Sequence, residues 1–203
     1  MTAKHSKEAY DQWHLEHEVD VNATAVWHTK VKELADPERD FQQKRVLEIG
    51  CGRGGFACWL ASQPYAPSEF VAADYSTSAV ERGREFAKSL GLNAITWREA
   101  DIQQIPFEDA TFDTVISCET IEHVPEPSKS LRELVRVLKP GGRLFLTTPN
   151  YFNPFGIYRG YLRLMGRPYQ EAGQPINKLI RDASAHSKLG PKVRNGRRTL
   201  RFS

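Results

Sequence analysis

The stretch VLEIGCGRGGF, residues 46–56, decides how the rest of the chain is interpreted. Gly50, Gly52 and Gly55 satisfy the G-x-G-x-x-G pattern of a strand-to-helix turn at which nucleotide ligands approach the backbone closely. Glu48, however, stands inside the predicted strand, where a dinucleotide-binding fold would normally carry another apolar residue. The turn therefore predicts a nucleotide-like ligand, and the acid restricts which ligand that is.

Outward from this turn, short apolar runs alternate with amphipathic runs, which is typical of β-α-β units and a parallel sheet. We predict one α/β domain with a doubly wound, Rossmann-like sheet of five to seven strands in the 203-residue chain. One or two helices are predicted within residues 8–35, ended by Asp36-Pro37, and Pro140-Gly141-Gly142 predicts a turn. The predicted strands are 45–49, 69–73, 95–99, 112–117 and 143–148, and the predicted core helices are 55–62, 77–90 and 129–138.

The acid at position 48 discriminates between nucleotide-like ligands by its charge. In a nicotinamide-dependent protein the glycine turn and the helix N-terminus hold a pyrophosphate, which a carboxylate at Glu48 would repel. S-adenosylmethionine has no phosphate, and it carries a sulfonium and an ammonium group. A carboxylate beside the turn therefore favours S-adenosylmethionine and disfavours a nicotinamide cofactor.

Polar residues also follow the ends of other predicted strands. Asp74 ends the second strand, 24 residues after Gly50, where a carboxylate can accept hydrogen bonds from both ribose hydroxyls, although nicotinamide-binding proteins share this feature. Asp101 ends the third strand, where its side chain and the Ile102 amide can hold an adenine. The segment FDTVISCETIEHVPEP extends from the fourth strand. Because open α/β sheets bind ligands at the carboxyl ends of their strands, we expect all of these residues at one edge.

In chain order, VLEIGCGRGGF, VAADYS, READIQQIPFEDATFDTVISCETIEHV and LVRVLKPGGRLFLTTPN resemble the class I S-adenosylmethionine-dependent methyltransferases. More narrowly, they are similar to the type 11 small-molecule group, which includes ubiquinone-biosynthesis O-methyltransferases. The resemblance covers residues 45–150 and implies an enzyme with S-adenosylmethionine as its cofactor. The implied contacts are Glu48, Gly50, Cys51 and Gly52 for the methionine part, Asp74 and Tyr75 for the ribose, Asp101 and Ile102 for the adenine, and Cys118 beside the cofactor.

The segment after the fourth strand carries the candidate catalytic residues. A hydroxyl acceptor would gain from a general base, for which we predict His123 first and Glu119 second. These two stand at i and i+4, so a short helix would place them on one face. In the ubiquinone-pathway relatives the residues corresponding to Glu119, Glu122 and His123 are associated with magnesium. Two acids and one histidine are few ligands for a dedicated site, so we predict no metal and keep a cofactor-lining His123 as the alternative.

Other features bear on partners and compartment. The fourth strand is followed by Ser117-Cys118-Glu119-Thr120, whereas enzymes that grip a flipped base carry an (Asp/Asn)-Pro-Pro-aromatic loop there. We therefore predict no nucleic-acid substrate. The resemblance implies transfer to an oxygen of a small molecule, with a nitrogen acceptor as the less favoured alternative. No apolar run approaches the ~20 residues of a membrane span. Cys51, Cys58 and Cys118 form no C-x-x-C pair, which is typical of a reducing, cytoplasmic setting.

The chain is predicted to have three parts: an N-terminal helical cap (1–42), the cofactor-binding core (43–150), and an aromatic lid segment with a basic tail (151–203). The histidines of the cap, including His14, are interpreted as surface or helix residues. From residue 156 onward, eleven Lys or Arg stand against two acids. The family usually adds a helix and a β-hairpin after the fifth strand, and the last 53 residues hardly supply two long core strands. Two alternatives follow: a truncated or partner-dependent cofactor-binding module, and an RNA-associated methyltransferase anchored by the tail.

Overall fold

The computed structural model describes residues 3–149 and the backbone of two short strands further on, and all structural statements refer to these residues. The predicted aromatic lid segment, most of the basic tail and a predicted short strand at 199–202 lie outside them. Three helices precede the sheet: α1 (Ala3–Glu16), α2 (Val26–Leu34) and α3 (Pro37–Asp40). The remaining elements are β1 (Arg45–Ile49), α4 (Gly55–Ala61), β2 (Glu69–Asp74), α5 (Thr77–Ser89), β3 (Ile95–Glu99), β4 (Phe112–Cys118), a 3₁₀-helix (Ile121–His123), α6 (Pro127–Val137), β5 (Leu138–Thr147), β6 (Val193–Arg194) and β7 (Arg197–Arg198).

Strands β1 to β5 form a single parallel sheet in the order β3-β2-β1-β4-β5, and β6 pairs antiparallel with β7 in a separate ladder. The order in which successive strands are added to the sheet reverses between β1 and β4: β2 and β3 lie on one side of β1, and β4 and β5 lie on the other. Such a switch point opens a crevice at the carboxyl ends of the two strands, and this crevice is where ligands of these sheets bind. The predicted doubly wound α/β fold is confirmed.

The sheet is covered by apolar packing on both faces. Val46 and Leu47 are neighbours in β1 and both are fully buried, yet they belong to different apolar clusters, because successive strand side chains point to opposite faces. Phe56 of α4 packs in the cluster on the Val46 side, and Leu134 of α6 packs in the cluster on the Leu47 side. A strand that is buried on both faces usually consists of a nearly continuous run of apolar residues, so a carboxylate inside β1 is unusual.

The predicted N-terminal helices end before Asp36-Pro37, as expected, but these two residues also begin a third helix that was not predicted. Helix α2 ends at Leu34, and Asp36 begins α3 because its side chain accepts a hydrogen bond from the Arg39 amide at 3.1 Å. Pro37 occupies the first turn, where its missing N–H removes no helical hydrogen bond. The same two residues that can stop a helix therefore start one.

Strand β5 begins earlier than predicted. Leu138 pairs with Phe112 directly after α6, and regular pairing resumes where Arg143 faces Thr114. The predicted turn lies between these pairs as an irregularity of the strand, with Gly141 at φ +76°. Throughout the part of the chain that the structure describes, no helix is both long and apolar enough to cross a bilayer.

Candidate functional site

The glycine turn after β1 lies against the loops that follow two neighbouring strands. The amides of Gly50 and Cys51 donate to the Ala73 carbonyl of β2 at 2.8 and 3.0 Å. Gly50 has φ +78°, and a Cβ there would lie 2.1 Å from Thr120 Oγ1 in the loop after β4. Only glycine fits this position, because both the backbone conformation and the close loop exclude a side chain.

Asp74, at the end of β2, is tied to this turn. Its Oδ2 accepts a hydrogen bond from the Gly52 amide at 2.7 Å, and its Oδ1 accepts one from the Ser76 amide at 2.9 Å. Burial raises the pKa of Asp74, although the backbone N–H groups of Ser76, Gly52 and Tyr75 act in the opposite direction. A carboxylate held only by neutral donors suits hydroxyl donors of a ligand better than it suits an anion.

Glu48 is the most unusual group at this edge. It is 2% exposed, and within the described residues its Oε2 has no hydrogen-bond partner. Burial, and then the negative charge of Asp74, raise the pKa of Glu48 well above its ordinary value. Two buried acids without a cation between them are unfavourable, and a cationic ligand group would relieve this. The two acidic side chains therefore fit the ammonium and sulfonium groups of S-adenosylmethionine and do not fit a pyrophosphate.

The other predicted cofactor residues lie along the same edge in a definite order. Asp101 follows β3, where its Oδ1 accepts a hydrogen bond from the Gln103 amide at 2.8 Å, and Ile102 is buried. Tyr75 follows Asp74, with the Lys7 ammonium 5.6 Å from its ring centroid. From β3 through β2 to β1, the residues predicted for adenine, ribose and methionine thus succeed one another as the parts of one extended ligand would.

Two of the predicted cofactor residues are cysteines. Cys118 ends β4 and is 8% exposed, and burial raises the pKa of its thiol to about 12. Burial likewise raises the pKa of the Cys51 thiol well above its ordinary value. Both sulfurs therefore stay protonated at neutral pH, so neither is a reactive thiolate.

The loop after β4 differs from the predicted short helix. The 3₁₀-helix covers only Ile121–His123, and Glu119 lies before it with φ +48°, so the helical i, i+4 argument for Glu119 and His123 is wrong. Burial raises the pKa of the Glu119 carboxyl, although the neighbouring Thr147 and Glu122 side chains act in the opposite direction. The His123 side chain is 35% exposed, with its Nε2 3.9 Å from Glu122 Oε1. Among the described residues, no three His, Cys, Asp or Glu are arranged to hold a metal ion.

Sequence reasoning missed the contribution of α1. His14, interpreted as a surface or helix residue, is 7% exposed, and the Arg53 guanidinium lies 3.0 Å from its Nδ1. Burial and the Arg53 charge lower the pKa of His14 to about 4. Asp11 of α1 accepts a hydrogen bond from Ser76 Oγ at 2.6 Å, beside Asp74. The available signal was a helical face made of polar residues, which hydrophobic periodicity does not detect.

This geometry agrees with the result of comparing the chain with protein families. Residues 47–146 match the family model described as a methyltransferase domain. The chain belongs to the class I S-adenosylmethionine-dependent methyltransferases. The matched span runs from β1 to β5, so this methyltransferase domain contains the glycine turn, Asp74 and the loop after β4. The predicted family and its cofactor, S-adenosylmethionine, are confirmed.

Individual relatives do not agree on the atom that receives the methyl group. The chloroplastic tocopherol O-methyltransferase of Arabidopsis thaliana is 37% identical over 116 residues, which are 57% of this chain and 33% of that protein. A ubiquinone/menaquinone biosynthesis C-methyltransferase of Idiomarina loihiensis is 32% identical over 103 residues, which are 50% of this chain and 41% of that protein. The chain thus spans less than half the length of these two relatives, one named for oxygen and one for carbon methylation.

A solved structure extends the comparison to the fold. A putative methyltransferase from Bacillus halodurans has a TM-score of 0.62 to this chain at 24% identity, covering 77% of this chain and 67% of that one. At this identity the likeness concerns the fold alone. It agrees with the parallel sheet and its covering helices.

Proposed function

We propose that this methyltransferase transfers the methyl group of S-adenosylmethionine to an oxygen atom of a small molecule. The observation that carries the proposal is the pair of buried acids, Glu48 and Asp74, that flank the glycine turn at the switch point of the sheet. A cationic, hydroxyl-bearing ligand satisfies both acids, whereas a dinucleotide pyrophosphate satisfies neither. The cofactor supplies a methyl group activated by the sulfonium.

The residues of this chain bind the cofactor and orient it toward the acceptor. Glu48 compensates the ammonium group, and Asp74 accepts the ribose hydroxyls while it keeps its bond to Gly52. Asp101 and the Ile102 amide lie at the end of β3 for the adenine. Alignment of acceptor and methyl group supplies much of the rate in a displacement of this kind, so holding both partners is the main task of the site.

The acceptor end is assigned to the loop after β4. A hydroxyl acceptor must lose its proton during transfer, and His123 carries a partly exposed imidazole at this edge of the sheet. Glu119, whose pKa burial raises, lies in the same loop and is the second candidate base. These two groups favour an acceptor that needs deprotonation. The named relatives include both an oxygen and a carbon methyltransferase, so product analysis must distinguish these acceptors.

Calorimetric titration with S-adenosylmethionine and S-adenosylhomocysteine tests the cofactor site. We expect dissociation constants of about micromolar for the wild type and a loss of at least about tenfold for Asp74→Ala, because a ribose acceptor and the anchor of Gly52 both disappear. Glu81→Ala, which removes an exposed acid from α5, should bind like the wild type. A folded wild type that binds neither compound would contradict the proposal.

Acceptor screening with a labelled methyl group follows once binding is established. His123→Ala should lower the transfer rate much more than the affinity for S-adenosylhomocysteine, because the imidazole is assigned to the acceptor and not to the cofactor. Label on carbon in the product would replace the oxygen assignment. Tight cofactor binding without transfer to any acceptor class would favour the cofactor-binding module instead.

A further inference from the structure

Helix α1 presents one polar face to the cofactor edge of the sheet. Lys7, Tyr10, Asp11 and His14 stand at i, i+3, i+4 and i+7, which is one face of a helix. Each of them contacts a different part of the site. Lys7 pairs with Glu99 at the end of β3, the Tyr10 ring lies edge-on to the His123 ring at 6.0 Å, and His14 Cε1 lies 3.5 Å from where a Cβ on Gly52 would be.

Asp11 connects this face to the ribose carboxylate. Its Oδ1 accepts hydrogen bonds from Ser76 Oγ at 2.6 Å and from the Ser78 amide at 3.1 Å, and its carbonyl accepts one from Ser78 Oγ at 2.8 Å. The Ser76 amide donates in turn to Asp74 Oδ1 at 2.9 Å. A continuous hydrogen-bonded path therefore joins α1 to Asp74, through the residues that begin α5.

The C-terminal end of α1 is held in the same polar manner. Arg82 Nη1 donates to the carbonyls of His14 and Leu15, both at 2.7 Å, and a cation at this end also suits the helix dipole. The large apolar side chains of the helix are largely exposed, Trp13 at 47% and Leu15 at 56%. Water can replace every one of these polar contacts, so α1 can separate while the core stays folded.

The groups assigned to the cofactor lie deep at this edge. Glu48 is 2% exposed, Asp74 9% and Ile102 4%. Asp11 and His14 of α1 contact the neighbours of these groups, Ser76 beside Asp74 and Gly52 in the glycine turn. The described side chains of α1, residues 7–16, meet this edge through hydrogen bonds, an ion pair and ring contacts, and none of them is a buried apolar side chain.

Building on the proposed function, we propose that α1 forms part of the cofactor site and that Asp11 is its positioning residue. Docking of α1 and binding of the cofactor then stabilise each other. Asp11 holds Ser76, and Ser76 holds the carboxylate that receives the ribose. By linkage, whatever docks α1 tightens cofactor binding, and the bound cofactor strengthens the docking of α1 by the same factor.

Hydrogen exchange and calorimetry with S-adenosylhomocysteine test the coupling in the full chain. For the wild type, saturating ligand should slow amide exchange in residues 3–16. Asp11→Ala should abolish that protection and weaken binding about 5- to 150-fold, with faster dissociation. Asp11→Asn, which keeps an oxygen acceptor for Ser76, should recover most of the affinity. Glu8→Ala, an exposed acid of the same helix, should behave like the wild type.

A second variant keeps the test decisive. Arg82→Met releases the other end of α1 without touching Asp11, and it should weaken binding in the same direction even where Asp11→Ala fails to fold. Equal affinity of wild type and variants, or unchanged exchange of α1 in the presence of bound ligand, would overturn the coupling while the cofactor site stands. No binding by the folded wild type would overturn the proposed function, and the coupling with it.

Discussion

At the scale of single residues, the sequence could place Glu48 and Asp74 but not their charge state. The motif and its spacing place Glu48 inside β1 and Asp74 at the end of β2, and the sheet brings both to one edge. The raised pKa of Glu48 arises from its complete burial and from the proximity of Asp74, which only the folded chain determines. Asp11 has no comparable signal, because its partners Ser76 and Ser78 are more than 60 residues away.

The raised pKa of Glu48 predicts that stability and cofactor binding respond oppositely to pH. Because the folded protein holds this proton more tightly than the unfolded chain, the free energy of unfolding should fall as pH rises from about 4.5 through the raised pKa. One such group contributes a slope of up to about 1.4 kcal/mol per pH unit. In the same window the affinity for the cationic cofactor should rise, because the binding-competent form of Glu48 is the deprotonated one.

Glu48→Gln separates these two effects. In the variant, the free energy of unfolding should depend less steeply on pH, by the contribution of one proton. The variant should also bind S-adenosylmethionine more weakly and release fewer protons on binding. Denaturant unfolding across the pH series and calorimetry in buffers of different ionisation enthalpy measure both. Glu81→Gln, an exposed control, should change neither. Proton release that is identical in Glu48→Gln and wild type would show that another group titrates.

At the scale of helices and strands, prediction succeeded where periodicity reports burial. The bounds of β1 and β3 agree with the prediction residue for residue, because short apolar runs between turn residues leave little freedom. It failed where single contacts decide. The cap at Asp36 starts a third helix that the sequence did not predict, and the loop at Thr120 over Gly50 leaves Glu119 outside the short helix. The face by which α1 contacts the sheet is mainly polar, so hydrophobic periodicity does not reveal it.

The packing of α5 on β3 yields a stability prediction for Gly83→Ala. Alanine in a helix interior is ordinarily favoured over glycine by about 1 kcal/mol. Here a Cβ would lie 2.3 Å from Trp97 Cζ3, whose ring also lies 2.2 Å from where a Cβ on Gly54 would be. Overpacking of this kind costs about 1–3 kcal/mol, so we expect net destabilisation, measured by denaturant unfolding.

A double-mutant cycle checks the cause of that loss. Shortening the neighbour in Trp97→Val makes room for the new methyl group, so Gly83→Ala should be less destabilising, or stabilising, in that background. The same loss in both backgrounds would mean that the Trp97 ring is not the obstacle. Because Trp97 also packs against Gly54, the overpacked variant should disturb the glycine turn and weaken binding of S-adenosylhomocysteine as well.

At the scale of the whole molecule, the order of the strands converts a linear set of motifs into one site. The motifs occur along the chain in the order β1, β2, β3, β4, whereas the sheet arranges those strands as β3-β2-β1-β4. The rule for open parallel sheets predicted a common edge from sequence alone. The acceptor has no such rule, because the segments expected to select it surround the core and carry no motif. The sequence therefore predicts the cofactor and the residues that bind it, whereas it does not predict the methyl acceptor.

Thermal unfolding of the full chain distinguishes between ligands at this scale. A ligand that binds only the folded state, at about 100 times its dissociation constant, stabilises by about 2.7 kcal/mol. For a chain of 203 residues this corresponds to a rise in melting temperature of about 5–10 °C. S-adenosylhomocysteine should produce this shift in the wild type and about half of it or less in Asp74→Ala, where the affinity is at least about tenfold lower. NADH should produce none, because its pyrophosphate would meet Glu48 and Asp74, two buried acids, at the glycine turn. A shift with NADH and none with S-adenosylhomocysteine would mean that the charge of Glu48 does not select the ligand.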